Sequence, residues 1–119
     1  ILITGDMLEL GGQAVECHRK IGHMAVKAGV DQLIVHGQYA PEVIRGARDF
    51  GMDHFRLAEC DSFEAMTTVL DCWLEPEDVV LVKGSRGMRM ERVIDWLKLQ
   101  SVAKTGCQTD GELRERMVA

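Results

Sequence analysis

Short apolar runs alternate along this chain with longer segments in which apolar positions recur every three or four residues. The short runs are apolar, mostly rich in β-branched residues and followed by glycine or turn residues, which is typical of buried strands. The longer segments have the period of amphipathic helices. We predict strands at residues 1–4, 32–36, 54–57 and 79–83, and helices at about residues 13–28, 41–50, 63–74 and 89–98. This alternation predicts an α/β fold with three layers, in which helices cover both faces of a mainly parallel sheet.

The first predicted helix carries a clear apolar stripe. Its members recur at spacings i, i+4, i+7, i+8 and i+11, and they are Cys17, Ile21, Met24, Ala25 and Ala28. Positions with this spacing share one face of a helix. We therefore expect this face to pack against the neighbouring elements of the core.

The composition bounds the class of protein. The chain has 119 residues, of which 46% are hydrophobic and 28% are charged, and this suits one compact domain. The formal net charge of −5 disfavours general nucleic-acid binding, because such binding needs a basic face. We see no apolar run of about 20 residues and no signal peptide, so we expect a cytoplasmic protein with no membrane span.

Four cysteines, Cys17, Cys60, Cys72 and Cys107, form no C-x-x-C pair and match no zinc-ligand spacing. Cys17 and Cys72 fall on helix faces that we predict to be buried, where a free thiol packs as a small hydrophobic group. We therefore expect free cysteines, a reducing compartment and no metal site.

The two ends of the chain differ from its middle. The first residues already form a predicted strand, so we expect a further segment to precede Ile1. From residue 100 the sequence is polar and lacks a strong apolar stripe, and residues 110–118 have the pattern of a short helix. We accordingly divide the chain into a domain at residues 1–99 and a weakly ordered polar tail at residues 100–119.

Ligands of open parallel sheets bind at the carboxyl ends of the strands. Four loops are expected at that edge, at residues 5–12, 37–40, 58–61 and 84–89. The first of them contains Asp6 and Glu9, whose carboxylates suit a ligand amine or an arginine. An alternative interpretation of Asp6 is that it caps the backbone of its own loop.

The loop after the fourth strand carries the strongest chemical signal. Lys83 ends the strand, Gly84 permits a tight turn, and Ser85 and Arg86 supply hydrogen-bond donors. Residues 83–98 contain five basic and two acidic side chains, which gives this segment a net charge of +3. Such a charge suits a ligand that carries a carboxylate or a phosphate. The segment is not a Walker P-loop, because its lysine precedes the glycine. A plain strand-to-helix turn with solvated arginines explains the same residues equally well.

Two segments together resemble the C-terminal domain of the Mur ligases. They are GDMLELG at residues 5–11, followed by His18 and Gly22, and KGSRGMRME at residues 83–91. Both stand in the family's order on strand-to-helix turns, and the resemblance covers about residues 1–98. It implies a Rossmann-like domain whose first strand and helix would precede Ile1.

The resemblance is to those Mur ligases that use ATP and Mg²⁺ to join D-alanyl-D-alanine to UDP-MurNAc-tripeptide. In that family a central domain, which this sequence lacks, holds ATP and the metal. By analogy with the Lys-Gly turn of the diaminopimelate-adding members, the first expected substrate contacts are Lys83, Gly84, Ser85 and Arg86, and the second are Asp6 and Glu9. The resemblance implies no catalytic residue and no metal ligand in these 119 residues.

Two other classes of protein fit the pattern of elements. One is a stand-alone doubly wound binding module, for example a receiver-like signalling domain that uses Asp6 and Lys83 at strand ends. That pocket needs an acidic cluster, and at the end of the first strand only Asp6, one residue after Gly5, is acidic. The other is a structural fragment without any affinity for a ligand.

The purified 119-residue chain should hydrolyse no ATP and form no peptide bond, because the nucleotide-binding motifs of the family are absent from it. An assay of ADP release and of product formation, with D-alanyl-D-alanine and UDP-MurNAc-tripeptide present, tests this. ATP-dependent ligation by the chain alone would refute the expectation.

Overall fold

The computed structural model describes residues 1–8, 11–105 and 114–117, and it describes side chains as far as Ser101. Its strands and helices, in chain order, are β1 (Leu2–Thr4), α1 (Ala14–Lys27), β2 (Leu33–His36), α2 (Ala40–Asp49), β3 (Leu57–Cys60), α3 (Phe63–Trp73), β4 (Val79–Lys83), α4 (Glu91–Thr105) and β5 (Arg114–Met117). Short 3-10 turns lie at Gly11–Gln13, His54–Arg56 and Arg86–Met88. The alternation of strands and helices predicted from the sequence is confirmed.

The strands form one sheet in the order β3-β2-β1-β4-β5, and every neighbouring pair is parallel. In its centre Thr4 of β1 lies opposite Val35 of β2 on one side and Lys83 of β4 on the other. The carboxyl ends of β1, β2 and β4 therefore meet at one edge. This is the edge at which the sequence predicts a ligand.

Successive side chains of a strand point to opposite faces of a sheet, and this alternation separates two cores. Leu33 and Val35 of β2 face the layer formed by α1 and α2. Ile34 between them faces the layer formed by α3 and α4, together with Val80 and Val82 of β4. The three-layer α/β/α arrangement is therefore confirmed, and it is the Rossmann-like architecture expected from the family resemblance.

Glycine brings α1 and α2 into close contact. A Cβ on Gly22 of α1 would lie 2.0 Å from the carbonyl oxygen of Val43, and one on Gly46 of α2 would lie 2.0 Å from the carbonyl oxygen of Arg19. Beside this contact Arg19 Nε donates a 2.7 Å hydrogen bond to Glu42 Oε2. This hydrogen bond is the main reason why the pKa of Arg19 is raised, and the negative charge of Glu42 adds to the effect. The two helices thus pack backbone against backbone.

The predicted apolar stripe of α1 is wrong in part. The buried positions are Ala14, His18, Gly22 and Ala25, whereas Met24 is 63% exposed. Three of these four positions are small, and at Gly22 a larger side chain does not fit because α2 approaches so closely. A hydrophobicity pattern overlooks such a face, since glycine and histidine contribute little to it.

The third strand begins later than predicted. His54–Arg56 is a 3-10 turn, and β3 occupies Leu57–Cys60. The Asp53 side chain accepts a hydrogen bond from the Phe55 N–H and so caps the turn. Residues 58–60, for which the sequence predicts a loop, belong to the sheet.

The end of the chain also differs from its prediction. The last helix, α4, continues past residue 99 to Thr105, and Arg114–Met117 is a strand rather than part of a helix. This strand pairs with β4 and covers an edge that would otherwise expose unpaired backbone groups. The remaining tail residues, and Cys107 with them, lie outside the described part.

The structure also bears on the predicted burial of two cysteines and on the predicted lack of a membrane span. Cys72 is exposed rather than buried, while Cys17 is half-buried as a free thiol. Among the helices of the described residues, none combines the length and apolar character that crossing a bilayer requires.

Replacing Gly22 with alanine should destabilise the fold by about 3 kcal/mol, because the new methyl group would overlap the backbone of α2. Gly12 is the matched control, since a Cβ added there meets nothing within 4 Å. Gly12→Ala should change the free energy of unfolding by no more than about 1 kcal/mol. Urea denaturation measures both, and equal effects would contradict the close packing of α1 on α2.

Candidate functional site

The order of strands places a topological switch point between β1 and β4 at the carboxyl edge of the sheet. The chain runs outward from β1 through β2 to β3, and then returns to place β4 on the other side of β1. The helices that follow β1 and β4 pack on opposite faces of the sheet, and ligands of open α/β sheets bind at such a switch point. We call the region formed by residues 5–8 and 83–90 the switch-point cleft.

Three hydrogen bonds join the two loops of the cleft. The Gly5 N–H donates to the Lys83 carbonyl oxygen at 2.8 Å, and the Ser85 N–H donates to the Asp6 carbonyl oxygen at 3.1 Å. The Leu8 N–H donates to Ser85 Oγ at 2.8 Å. The two segments recognised in the sequence are thus one structural unit, although nearly eighty residues separate them.

Glycine permits the close approach of these loops. A Cβ on Gly84 would lie 2.8 Å from Cγ of Met90 and 3.4 Å from the backbone nitrogen of Gly5. A Cβ on Gly87 would lie 2.8 Å from Cδ1 of Leu8. A side chain at Gly84 would therefore require Met90 to shift, and one at Gly87 would require the end of the Leu8 side chain to move.

Asp6 is a buried carboxylate with backbone partners. Its side chain is part of a residue that is 5% exposed, and Oδ2 and Oδ1 accept hydrogen bonds from the N–H groups of Gln38 and Tyr39 at 2.8 and 2.9 Å. These groups lie just before α2, where a negative charge is favourable. Gly37 has a φ of 126°, and a Cβ there would lie 2.4 Å from Asp6 Oδ1. Asp6 therefore caps the α2 loop, and its contact with a ligand stays a prediction.

His18 fastens α1 to the cleft and is fully buried. Its Nδ1 lies 2.6 Å from the Ala14 carbonyl oxygen, which can only accept, so Nδ1 carries the proton. Nε2 then accepts the Met7 N–H at 3.0 Å, and it lies 4.0 Å from Asp6 Oδ1. The ring also stacks on Tyr39, with 4.6 Å between centroids.

The sequence singled out His18 only as part of a motif and assigned it no role. Its signal was a histidine four residues before Gly22, on the face of α1 that the hydrophobic pattern overlooked. A single polar residue at helical spacing identifies neither of its partners, because Met7 lies in a loop with no regular period.

The cleft also presents cations. Lys83 is half-buried at the end of β4, and Arg86 and Arg89 are exposed. Within residues 1–8 and 11–101, where side chains are described, the charged groups of these three residues make no hydrogen bond or ion pair. They are therefore free to bind an anion. Glu9, the remaining expected contact, lies outside the described residues.

The strands β2 and β3 end in His36 and Cys60, and neither side chain is placed to react. His36 Nδ1 donates to the Cys60 carbonyl oxygen at 2.9 Å, which fixes the ring. Burial is the main cause of a raised pKa of the Cys60 thiol, and the negative charges of Asp61 and Glu59 raise it further. The thiol is therefore protonated and unreactive near neutral pH. Among the described residues no three His, Cys, Asp or Glu side chains form a possible metal site. In that part of the chain, therefore, no cluster of this kind is present for the Mg²⁺ that the family resemblance implies.

Asp6→Asn should lower the free energy of unfolding by about 2 kcal/mol, because an amide cannot accept both backbone N–H bonds and loses the charge. Asp71→Asn removes the same charge from an exposed site on α3 and should change it by no more than about 0.5 kcal/mol. Urea denaturation of both variants measures the difference. Equal stability of the two would show that the Asp6 bonds contribute nothing.

Comparison of the sequence with known proteins identifies its family. The family model described as Mur ligase, glutamate ligase domain, matches residues 1–86. UDP-N-acetylmuramoyl-tripeptide–D-alanyl-D-alanine ligase of Escherichia coli is 34% identical over 96 residues, which are 79% of this chain and 20% of that protein. The ligases of the same name from Treponema pallidum and Bacillus subtilis are 33% and 27% identical over 95 and 97 residues, again 78% and 79% of this chain and 20% of each relative. The chain thus spans about a fifth of the length of these relatives. The resemblance inferred from residues 5–11 and 83–91 is confirmed, and the chain belongs to the Mur ligase family, whose C-terminal, glutamate ligase domain it carries.

Proposed function

We propose that this chain is the C-terminal, substrate-positioning part of a ligase that joins D-alanyl-D-alanine to UDP-MurNAc-tripeptide at the expense of ATP. The relatives that support the proposal carry that activity in their names. Since the chain corresponds to about a fifth of their length, the proposal assigns ATP, Mg²⁺ and the tripeptide mainly to the rest of such an enzyme. The described domain would contribute the site for the incoming dipeptide.

The observation that carries the proposal is the pair of free cations, Lys83 and Arg86, at the switch-point cleft. D-Alanyl-D-alanine has a terminal carboxylate that must be held while its amine reacts. A guanidinium binds a carboxylate through two parallel hydrogen bonds and so fixes its orientation, and an ammonium adds a compact charge. We therefore assign the carboxylate to Arg86 and Lys83.

The neighbouring loop residues would assist in different ways. Gly84 permits backbone to approach a ligand closely. The Ser85 oxygen already accepts the Leu8 N–H, which leaves the hydroxyl proton to donate to the dipeptide. Glu9 remains a proposed contact for the dipeptide amine. For Asp6 we propose an indirect part, since both of its oxygens already accept backbone bonds.

The chemical contribution of this domain would be orientation. In such a ligase ATP supplies the phosphoryl group that activates the tripeptide carboxylate. The cations of the cleft would hold the dipeptide by its far end, so that the amine is presented to the activated carbon. Positioning of two reactants in this way removes a large entropic part of the barrier.

A receiver-like signalling module is the rival proposal, and the surroundings of Asp6 speak against it. A phosphate acceptor must offer a carboxylate oxygen to a phosphodonor. Asp6 is 5% exposed, and each of its oxygens accepts a backbone hydrogen bond. Phosphorylation of Asp6 by acetyl phosphate, detected as an 80 Da mass gain that maps to residue 6 (about the mass of one added phosphoryl group), would revive this rival.

The test of the proposed function is ligation by the full-length product of the gene. Arg86→Ala should raise the KM for D-alanyl-D-alanine by about 10- to 100-fold, because a charge-assisted pair with the carboxylate is lost. Lys83→Ala should act in the same direction. The control is Arg48→Ala, which removes an exposed arginine near the end of α2 and should change the KM by less than about twofold.

Two results would contradict the proposal. One is a full-length product that does not ligate D-alanyl-D-alanine. The other is an active enzyme whose KM for the dipeptide is the same in the wild type, Arg86→Ala and Lys83→Ala.

A further inference from the structure

A left-handed turn at Arg89 joins the cleft to α4. Its φ and ψ are 53° and 43°, values that cost free energy for any residue with a Cβ. Within the described residues the other non-glycine with a positive φ is Glu77, in the turn before β4 at the opposite edge of the sheet. A strained residue persists only where its surroundings hold it in place.

Arg92 is the residue that holds this turn. The carbonyl oxygen of Arg89 accepts two hydrogen bonds from it, one from its backbone N–H at 3.2 Å and one from its side-chain Nε at 3.2 Å. On the other side of the turn, the Arg89 N–H donates to the Arg86 carbonyl oxygen at 3.1 Å. The turn is therefore bonded from both ends, and Arg86 is one of those ends.

Phe63 in turn positions the Arg92 side chain. The guanidinium carbon lies over the Phe63 ring, 5.0 Å from its centroid, within the range of a cation–π interaction. Phe63 is the first residue of α3 and directly follows Ser62, whose Oγ caps that helix by accepting the Ala65 N–H. The contact thus connects the loop after β3 with the loop after β4 along the carboxyl edge of the sheet.

Stability of α4 does not explain an arginine at this position. Arg92 is the second residue of the helix, where the positive end of the helix dipole repels a cation. Glu91, immediately before it, has the charge that this end favours. The arginine therefore suits the Arg89 turn and the Phe63 ring rather than the helix that contains it.

We propose that Arg92 is a positioning residue of the ligand site, which holds the Arg89 carbonyl with Nε and rests on the Phe63 ring so that Arg86 and Arg89 are directed into the cleft. The proposal rests on the proposed function for the identity of the ligand, D-alanyl-D-alanine. Arg92 itself need not touch that ligand, because its Nε is already bonded to the loop.

Arg92→Lys in the full-length product tests the proposal. Lysine keeps the charge and can still lie over Phe63, but it lacks the Nε donor to Arg89. The KM for D-alanyl-D-alanine should rise about fivefold or more while kcat changes by less than about twofold, the pattern of weakened binding. Phe63→Leu, which keeps apolar packing and removes the aromatic face, should change KM in the same direction.

Amide hydrogen exchange supplies a measurement that does not depend on the ligand. In Arg92→Lys the Arg89 N–H should exchange faster, whereas the core of the sheet should keep its protection. Arg45→Lys is the control for both measurements, since it exchanges the same residue types at an exposed position of α2. It should match the wild type.

The outcomes separate the two proposals. If the wild type ligates D-alanyl-D-alanine and Arg92→Lys has wild-type KM and wild-type exchange at Arg89, the positioning role is overturned and the proposed function stands. If the wild type does not use the dipeptide, the proposed function fails. In that case exchange at Arg89 alone decides whether Arg92 holds the turn.

Discussion

The buried carboxylate of Asp6 is the constraint on which the cleft depends. Its side chain accepts the N–H groups of Gln38 and Tyr39, while its backbone carbonyl accepts the Ser85 N–H. One residue thereby fixes the loops after β1, β2 and β4 relative to one another. A buried charge is costly unless it is hydrogen-bonded, and here these bonds meet that need. The exposed and half-buried cations of the cleft, Arg86 and Lys83, thus lie beside loops that the buried Asp6 holds together.

Much of this frame could be predicted from the sequence, because its signals are local. The order of elements, the edge at which loops gather and the two motifs all follow from periodicity, glycine positions and short patterns. What sequence alone could not supply are partners distant along the chain. The Asp6 carboxylate accepts hydrogen bonds from residues 38 and 39, and the sequence around Asp6 does not predict these partners. The interpretation of Asp6 as a backbone cap was right in kind, but the capped backbone belongs to another loop.

The errors in the prediction have similar physical origins. The buried face of α1 was missed because close contact with α2 requires Gly22, which a hydrophobic pattern ignores. The start of β3 was misplaced because the Asp53 cap turns His54–Arg56 into a 3-10 segment. The strand Arg114–Met117 alternates charge without an apolar core, and pairing with β4 rather than composition determines it. In each case a tertiary contact overrides the local preference.

Arg86 is the residue that we propose to hold the carboxylate of the dipeptide. The most direct measurement combines Arg86→Ala with D-alanyl-D-alaninamide, which lacks that carboxylate, in ligation assays of the full-length product. For the wild type, the amide should have a kcat/KM lower than that of the dipeptide by about 10-fold or more. For Arg86→Ala the two substrates should differ by less than about threefold, because the interaction is lost from either side. If the variant still prefers the dipeptide as strongly as the wild type does, Arg86 does not bind the carboxylate and the account of the cleft is wrong.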